Sequence, residues 1–383
     1  MSANRQDHAP VQIFILLGTS PEAIKLAPVV RALKQECRFD PLLISTGQHR
    51  ELLNPLLETL QLRLDLNMSV MVPEQSLSAL GSTLIGDIGE LLRTAKPDIV
   101  LVHGDTATAF TGAVAAFYEK IPVAHVEAGL RSGSLETPFP EEFHRYAIAR
   151  LARWHFAPTH DAAGNLLAEG VDTSSIEVTG NTVVDSLKWV IREARGQSAF
   201  SQDSSFKVLV TLHRRELQGR SMHEIAEALA RLAKPQVQII FLLHKNPAVR
   251  RELLAAARIP TSARFLEPLD YTDFVQTLRN ANLVVTDSGG VQEEATILGK
   301  RILVIRKITD RPEAVGEGNA EVVGTCAQNI VASVRQKVAE AESNSANLQT
   351  SNAFGDGRSA ARIVRRLLKD CGWVSPPRRD LPA

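Results

Sequence analysis

The chain has 383 residues, of which 44% are hydrophobic, so we expect a soluble globular protein of about two domains. Its 43 basic residues balance its 43 acidic residues, which argues against nonspecific nucleic-acid binding because such binding needs a net basic face. Three scattered cysteines, a polar N-terminus and the lack of a long apolar run predict a cytoplasmic protein without a disulfide framework, a metal site or a membrane span.

Apolar runs alternate with segments of helical spacing along the chain. Val11–Leu17 predicts a strand and Glu22–Cys37 predicts the helix that follows it. Several strands are nearly continuous Val, Ile and Leu, which indicates parallel sheets covered by helices on both faces. Two sets of alternating strands and helices predict an α/β protein with two Rossmann-like, doubly wound domains. The other predicted strands are Pro41–Thr46, Asp98–His103, Val123–Val126, Lys207–Leu212, Gln238–Leu243, Asn282–Thr286 and Arg301–Ile305.

The domain junction is predicted between Val178 and Phe206, where one helix is followed by the polar run Gly196–Ser205. We therefore expect an N-terminal domain over residues 1–185 and a second domain over residues 186–355. Ligands of such sheets bind beyond the carboxyl ends of the strands, and the unusual polar clusters of this chain fall there.

The first-half clusters are rich in acids. Gly18–Glu22 predicts a tight turn with exposed amides, and Lys25 lies near the first turn of the next helix. Asp105, at the end of a strand, is either a helix cap or a functional acid. Glu127 follows a buried strand, where a carboxylate is costly unless it is paired, so Arg131 is either its structural partner or part of a site.

A second acidic cluster lies at Pro138-Phe139-Pro140-Glu141-Glu142, which begins a helix. Acids in a first turn are favoured by the helix dipole, so this pair is either a surface feature or a functional one.

The most informative motif of the second half is Asp287-Ser288-Gly289-Gly290, which follows a buried apolar run and precedes a helical segment. The turn leaves backbone N–H groups available, two glycines remove Cβ atoms, and the helix N-terminus adds about half a positive charge. These features predict a phosphate site. Glu294 lies about one turn further, where a carboxylate can reach a ribose hydroxyl, which points to a nucleotide diphosphate.

Cations accompany this motif at other strand ends. His213-Arg214-Arg215 is either an anion site or a solvated charge run, and His244 ends the next strand. Arg311 lies in a loop from which it could face the same diphosphate. A cleft between the domains would bring the acids of the first against a nucleotide held by the second, which suits breaking the bond to a leaving nucleotide.

The motifs together resemble those of the non-hydrolysing UDP-N-acetylglucosamine 2-epimerases of bacteria, from about Ile13 to Leu367. The resemblance implies a glycosyltransferase-B-like architecture with a deep interdomain cleft, and a C-terminal helix within residues 356–383 that returns to the first domain. The matching segments are Pro21–Lys25, Thr46–Arg50, Val102–Thr106, His125–Arg131, Pro138–Glu142, Thr179–Thr182, His213–Glu216, Asp287–Glu294 and Arg311–Ala314.

The resemblance also implies an activity and its partners. UDP-GlcNAc and UDP-ManNAc would interconvert by anti elimination of UDP to a 2-acetamidoglucal and re-addition with a proton on the other face of C2. The substrate is a UDP-sugar, and neither a metal nor a nicotinamide cofactor is needed. A second UDP-GlcNAc as activator and a homodimer are expected by analogy.

Site residues follow from the same resemblance. The catalytic set is Asp105, Glu127, Glu141 and His213. The substrate-binding set is Lys25, Arg131, Ser288, Gly289, Gly290, Glu294 and Arg311, with the uracil against the segment from Phe265 to Leu269. The allosteric set is Gln48, His49, Arg214 and His244.

The chain departs from the family pattern around this site. Ser20 stands where the family usually has an arginine, which removes a charge-assisted bond worth about 1.5–3 kcal/mol that Lys25 or Arg311 could replace. The other departures are His144 for Asn, Leu212 for Gly, Leu217 for Asn, and Lys307-Ile308 for Asp-Thr. The alternatives are a hydrolysing relative that releases ManNAc and UDP, an epimerase of a related UDP-sugar, a glycosyltransferase, and a non-catalytic UDP-sugar sensor.

Overall fold

The structure is a computed structural model that describes residues 9–47, 50–68, 70, 75–193, 195–212, 220–243, 247–256, 261–307, 309, 311–316, 318–342 and 351–372. The chain forms two compact units. The first contains the chain up to Ser186 and resumes at Gly355, and the second is Leu187–Phe354.

The first unit contains seven strands that pair only in parallel. They are β1 (Val11–Leu17), β2 (Phe39–Ser45), β3 (Leu66–Asn67), β4 (Ile99–His103), β5 (Val123–Val126), β6 (Ala152–Ala157) and β7 (Ile176–Val178). Their order in the sheet is β3-β2-β1-β4-β5-β6-β7. The helices are α1 (Ser20–Lys34), α2 (Arg50–Thr59), α3 (Leu77–Ala95), α4 (Ala107–Tyr118), α5 (Glu141–Leu151), α6 (His160–Ala168) and α7 (Thr182–Glu193), which leads into the second unit.

The second unit contains a six-stranded parallel sheet. Its strands are β8 (Phe206–Thr211), β9 (Val237–Leu242), β10 (Arg264–Leu266), β11 (Leu283–Thr286), β12 (Arg301–Val304) and β13 (Ala320–Val322), in the order β10-β9-β8-β11-β12-β13. The helices are α8 (Arg220–Ala230), α9 (Pro247–Ala256), α10 (Tyr271–Asn280), α11 (Gly289–Ile297), α12 (Pro312–Gly316) and α13 (Ala327–Glu342). The last helix among the described residues, α14 (Ser359–Asp370), belongs to the first unit and packs on α1.

Both sheets are doubly wound. The strand order reverses between β1 and β4 in the first unit and between β8 and β11 in the second. The central strands are buried on both faces, as their apolar sequences predict; every residue of β4 and of β11 is buried. Crevices at the carboxyl ends beside such reversal points are where ligands bind in this class of fold.

The predicted central strands are confirmed to within two residues at each end, whereas five short or polar strands were missed. The predicted helix Glu22–Cys37 begins and ends a few residues earlier, at Ser20–Lys34. Strand β6 was missed because α5 passes into it at Ala152 without a Gly or Pro, and its sequence carries Arg153 and His155. The other missed strands, β3, β7, β10 and β13, have only two or three residues each, too few to establish a period.

The polar run Gly196–Ser205, which lies within the predicted junction stretch, is folded into the second unit. Gln197 N donates to the carboxylate of Asp273, and the Phe200 side chain is buried. A Cβ at Gly196 would lie 2.4 Å from the carbonyl oxygen of Thr272, so this polar segment is closely packed.

Among the described residues, no helix is both long and apolar enough to span a membrane.

Candidate functional site

The predicted phosphate turn lies where expected, at the carboxyl end of β11. Ser288 is the N-cap of α11, and its backbone N–H donates to Thr286 Oγ1 at 3.0 Å. Gly290 is exposed in the first turn, and no neighbouring heavy atom lies within 4 Å of the position that a Cβ would take. Its φ is not in the left-handed region, so neither the backbone nor the packing requires glycine there. The space above this helix N-terminus suits an anion that approaches the amides closely.

Glu294 is oriented by a tyrosine that the sequence did not reveal. The Tyr271 hydroxyl donates to Glu294 Oε1 at 2.8 Å, and both residues are buried. Burial and the neighbouring carboxylate raise the pKa of Tyr271 well above its ordinary value, so the phenol stays a hydrogen-bond donor. The carboxylate predicted to bind a ribose is therefore held in a fixed direction.

Two buried arginines contact the Asp287–Gly290 turn and the helix α11 that follows it. Arg311, predicted to face a diphosphate, is buried and pairs with Glu293 on α11. Arg306, which was not predicted, donates from Nε to the carbonyl oxygen of Asp287 at 2.6 Å. Thr309 adds a bond from its hydroxyl to Gln292 Oε1 at 2.8 Å. In this geometry Arg306 contacts the turn and Arg311 contacts the helix that follows it.

The predicted uracil-binding segment is half-buried in the second unit. Phe265 lies in β10 and its ring stacks on Phe241, with the centroids 4.5 Å apart. Leu269 is half-buried in the loop that leads to α10.

In the first unit, Glu22 joins two strand ends. Its buried carboxylate accepts from the backbone N–H groups of Gly18 and Thr19, at 2.9 and 2.8 Å, and from Thr106 Oγ1 at 2.7 Å. Burial raises the pKa of Glu22, although these hydrogen bonds oppose the shift. The sequence predicted exposed amides at Gly18–Glu22. This was wrong for Gly18 and Thr19, because the backbone N–H groups of both residues donate to the Glu22 carboxylate.

Glu127 is the centre of the acidic cluster. It directly follows β5, with a φ of +64°, a conformation that non-glycine residues adopt rarely. Its side chain is 9% exposed, and Oε2 accepts from Lys25 Nζ and, at 2.8 Å, from Asn181 Nδ2. Two donors on one carboxylate oxygen favour the ionised form. The sequence offered Arg131 as a structural partner of Glu127. In the structure Glu127 pairs with Lys25 instead, and Arg131 pairs with Glu169.

Two buried histidines lie behind Glu127. His103 Nε2 is 3.8 Å from Glu127 Oε2, and burial lowers the pKa of His103 to about 4. His125 bonds from Nε2 to the carbonyl oxygen of Gly104 at 2.7 Å, and burial lowers its pKa to about 3. Both imidazoles are therefore neutral near pH 7, and the two histidines add no positive charge to the acidic cluster.

Asp105 is held by Arg145, an arginine of α5 that follows the predicted Glu141-Glu142 pair. Arg145 Nε contacts Asp105 Oδ2 at 2.7 Å, and its NH1 contacts Glu142 Oε2 at 3.0 Å. Asp105 keeps 25% of its side chain exposed, whereas Glu142 is fully buried and also accepts from Ser132 N. Of these two acids, Asp105 is open to a ligand and Glu142 is structural.

His144, a departure from the family pattern, supports the same turn. Its Nδ1 bonds to the carbonyl oxygen of Asp105 at 2.7 Å, and its ring stacks on Phe110 at 4.7 Å between centroids. Glu141, predicted to be catalytic, is half-buried at the start of α5. Arg131, predicted to bind substrate, makes a two-point contact with Glu169 at 2.7 and 2.8 Å and lies over the ring of Tyr146.

The remaining predicted site residues lie outside the described residues. They are His213 of the catalytic set, and Gln48, His49, Arg214 and His244 of the allosteric set. Among the residues that the structure does describe, no group of three or more His, Cys, Asp or Glu side chains could hold a metal ion.

The comparison with known families decides which family the chain belongs to. The sequence model of the family described as UDP-N-acetylglucosamine 2-epimerase matches residues 31–368. The chain belongs to this family. Its two parallel α/β sheets and the structural similarities below confirm the predicted glycosyltransferase-B-like class.

Individual members of the UDP-N-acetylglucosamine 2-epimerase family are similar over nearly the whole chain. The enzyme of that name from Neisseria meningitidis serogroup A is 39% identical over 371 residues, which cover 94% of this chain and all of the relative. The crystal structure of UDP-GlcNAc 2-epimerase from Neisseria meningitidis bound to UDP-GlcNAc has a TM-score of 0.88 at 38% identity, with 94% of this chain and 100% of that chain covered.

A more distant member shows the same similarity of fold. The Methanocaldococcus jannaschii UDP-GlcNAc 2-epimerase, in complex with UDP-GlcNAc and UDP, has a TM-score of 0.81 at 34% identity, and 94% of this chain and 99% of that chain are covered.

Proposed function

We propose that this protein interconverts UDP-N-acetylglucosamine and UDP-N-acetylmannosamine without hydrolysis. A base removes the C2 proton, the C1–O bond breaks with its electron pair leaving on UDP, and a C1=C2 double bond forms. UDP oxygen then attacks C1 while a proton is delivered to the other face of C2. No atom is gained or lost and no electron is transferred to a cofactor, so the step balances as an isomerisation.

The observation that carries the proposal is the environment of Glu127. A nearly buried carboxylate with two donors on one oxygen is a costly feature, which a merely structural position could avoid. It is suited to accept a proton from carbon, because nearby donors fix its direction and few water molecules reach it. Asp105 and Glu141 are assigned with it to the transfers at the two faces of C2.

The second-unit turn is assigned to the departing nucleotide. The N-terminus of α11, with the open space at Gly290, suits the diphosphate, and Glu294 suits a ribose hydroxyl. The charge that develops on UDP would be stabilised by fixed amides and the helix dipole. The relatives from Neisseria meningitidis and Methanocaldococcus jannaschii, crystallised with UDP-GlcNAc, support a UDP-sugar as the substrate.

The test is NMR of UDP-GlcNAc with the protein in heavy water. We expect UDP-ManNAc to accumulate with deuterium at C2 and without free sugar. Free ManNAc and UDP would instead indicate the hydrolysing alternative. An unlabelled C2 with no epimer would refute the proposal in favour of a sugar-binding protein or a transferase.

The acid assignments are tested by Asp105→Asn and Glu127→Gln. Each change keeps the size of the side chain and removes its ability to take a proton, so each should abolish C2 exchange. Glu58→Gln is the matched control, because Glu58 is exposed on α2 and should leave exchange unchanged. Full turnover in both active-site variants would contradict the assignment.

We also propose a homodimer and activation by a second UDP-GlcNAc, as the family resemblance implies. Initial rates measured from UDP-ManNAc should rise when a small amount of UDP-GlcNAc is added, and sedimentation should give twice the chain mass. Hyperbolic kinetics without such a rise, or a monomer, would contradict the respective proposal.

A further inference from the structure

Asn181 connects Glu127 to the start of α7. Its Nδ2 donates to Glu127 Oε2 at 2.8 Å, and its Oδ1 accepts from the backbone N–H of Val183 at 3.0 Å. The second bond fixes which end of the amide faces the acid, because the oxygen is already used by the helix. Asn181 is buried, so neither bond competes strongly with water.

The turn that carries Asn181 is held by the returning C-terminal segment. Arg362 NH1 donates to the carbonyl oxygen of Thr179 at 3.0 Å, and the same guanidinium makes a two-point contact with Asp356 at 2.7 and 2.8 Å. Gly355 packs on Gly180 so closely that a Cβ at Gly355 would lie 3.0 Å from the Gly180 Cα. Residues 355–362 therefore contact the backbone on the N-terminal side of Asn181.

A further contact ties the two helix starts together. The Asp185 carboxylate, on α7, accepts from the backbone N–H groups of Ser359 and Ala360 at 3.2 and 3.1 Å. These are the first N–H groups of α14, whose own N-cap residue, Arg358, makes no side-chain capping bond. Asp185 supplies that cap from another part of the chain, so α7 and α14 fix each other's position.

We propose that Asn181 is a positioning residue for Glu127, and that the segment 355–362 acts as a clamp which holds Asn181 in place. The inference rests on the proposed role of Glu127 in C2 proton transfer. It assigns to the C-terminal segment a part in the chemistry of an acid that is more than two hundred residues away in the sequence.

The expected effect of the amide on Glu127 is electrostatic as well as geometric. Among the residues that the structure describes, the charged and titratable groups near this acid include Lys25 on α1, His103 and Asp105 at the end of β4, and His125 on β5. The two histidines are neutral above about pH 5, whereas Lys25 and the Asn181 amide both favour the carboxylate form of Glu127. Removing the amide donor should raise the pKa of Glu127 relative to the wild type.

The deciding variant is Asn181→Asp. It keeps an oxygen for the Val183 N–H and nearly the same volume, but replaces the donor by a second carboxylate against Glu127. We expect the limb of the pH–rate profile that reports Glu127 to move upward by about one unit or more, because like charges disfavour ionisation. The shifted limb is the acid one if Glu127 accepts the proton in the direction measured, and the basic one if it donates.

The clamp is tested by Arg362→Ala against Arg365→Ala. Both remove an arginine from α14, but Arg365 is exposed and, within the part of the chain that the structure describes, makes no hydrogen bond to the turn, so it is the matched control. We expect Arg362→Ala to lower kcat about 10-fold with little change in KM, as small displacements of a reacting group do. In an Asn181→Ala background the same change should have a much smaller effect, because the clamp acts through Asn181.

The outcomes separate this inference from the proposed function. If the wild-type protein shows no C2 exchange, the proposed function itself fails. If the wild type exchanges C2, an Asn181→Asp profile that superimposes on the wild type overturns the positioning role. An Arg362→Ala effect that is absent, or equally large without Asn181, overturns the clamp. Thermal melts of each variant confirm that the assays compare folded proteins.

Discussion

Gly290→Ala is expected to change stability and nucleotide binding in opposite directions. Gly290 is helical and exposed, with open space where the Cβ would go. Alanine in place of glycine stabilises a helix interior by about 0.5–1 kcal/mol, since glycine loses more backbone freedom on folding, and in the first turn we expect a gain of no more than that size. For a unit the size of Leu187–Phe354, about 1 kcal/mol corresponds to a rise in melting temperature of about 2–4 °C.

The same methyl group should weaken UDP binding. A phosphate oxygen that accepts from the first N–H groups of α11 must approach the backbone closely, and the added Cβ occupies part of that approach. We expect a loss of affinity of about 10-fold, which is about 1.4 kcal/mol. Glycine at this position would then cost stability in exchange for access to the helix N-terminus.

The assay pairs calorimetric unfolding without ligand with calorimetric titration of UDP. Gly86→Ala is the control, because Gly86 is an exposed glycine of α3 with equally open surroundings. It should raise the melting temperature without changing UDP affinity. Unchanged UDP affinity in Gly290→Ala would refute the placement of the diphosphate over this turn, and a lower melting temperature would refute the argument about helix geometry.

Three further predictions concern buried polar groups. Arg145→Met should lower the free energy of unfolding by about 3–5 kcal/mol in urea titrations, because the fully buried Glu142 loses its cation; a loss below 1 kcal/mol would contradict this. Tyr271→Phe should lower it by about 1.5–3 kcal/mol and also weaken UDP binding, since a bond to a buried carboxylate is lost; unchanged values of both would argue against that bond. Burial lowers the pKa of His103 to about 4 and of His125 to about 3, below the ordinary 6.5, so the unfolded chain binds more protons and stability should fall as pH drops from about 6.5 to 4. Equal unfolding free energies at pH 7 and pH 5 would contradict this last expectation.

The acids of the site could be singled out from the sequence for a physical reason. Glu127 directly follows the buried strand β5, and Asp105 follows the buried strand β4 after one intervening residue. An unpaired carboxylate is costly at such positions. The Ser288-Gly289-Gly290 turn was recognisable in the same way, because its composition suits a strand end and a helix start with little side chain between them. These signals depend only on residues that are neighbours in the sequence, so they can be recognised without knowledge of the tertiary structure.

The partners of those acids could not be predicted from the same signals. Lys25 and Asn181 are 102 and 54 residues from Glu127, and Arg145 is 40 residues from Asp105. The Thr179-Gly180-Asn181 segment matches the family motifs, so the sequence drew attention to Asn181. Nothing in that segment indicates which acid Asn181 contacts.

The sequence by itself determined the class of the protein: two sets of strands and helices, acids at strand ends, and a glycine-rich helix N-terminus that predicts a phosphate site. Only the tertiary structure decided which of these groups meet. In a doubly wound sheet the strands lie in an order that differs from their order in the chain, so β4 lies between β1 and β5 and brings Lys25, His103 and Glu127 together. Periodicity records which face of an element is buried, whereas the contact between two distant elements depends on the packing of the whole unit.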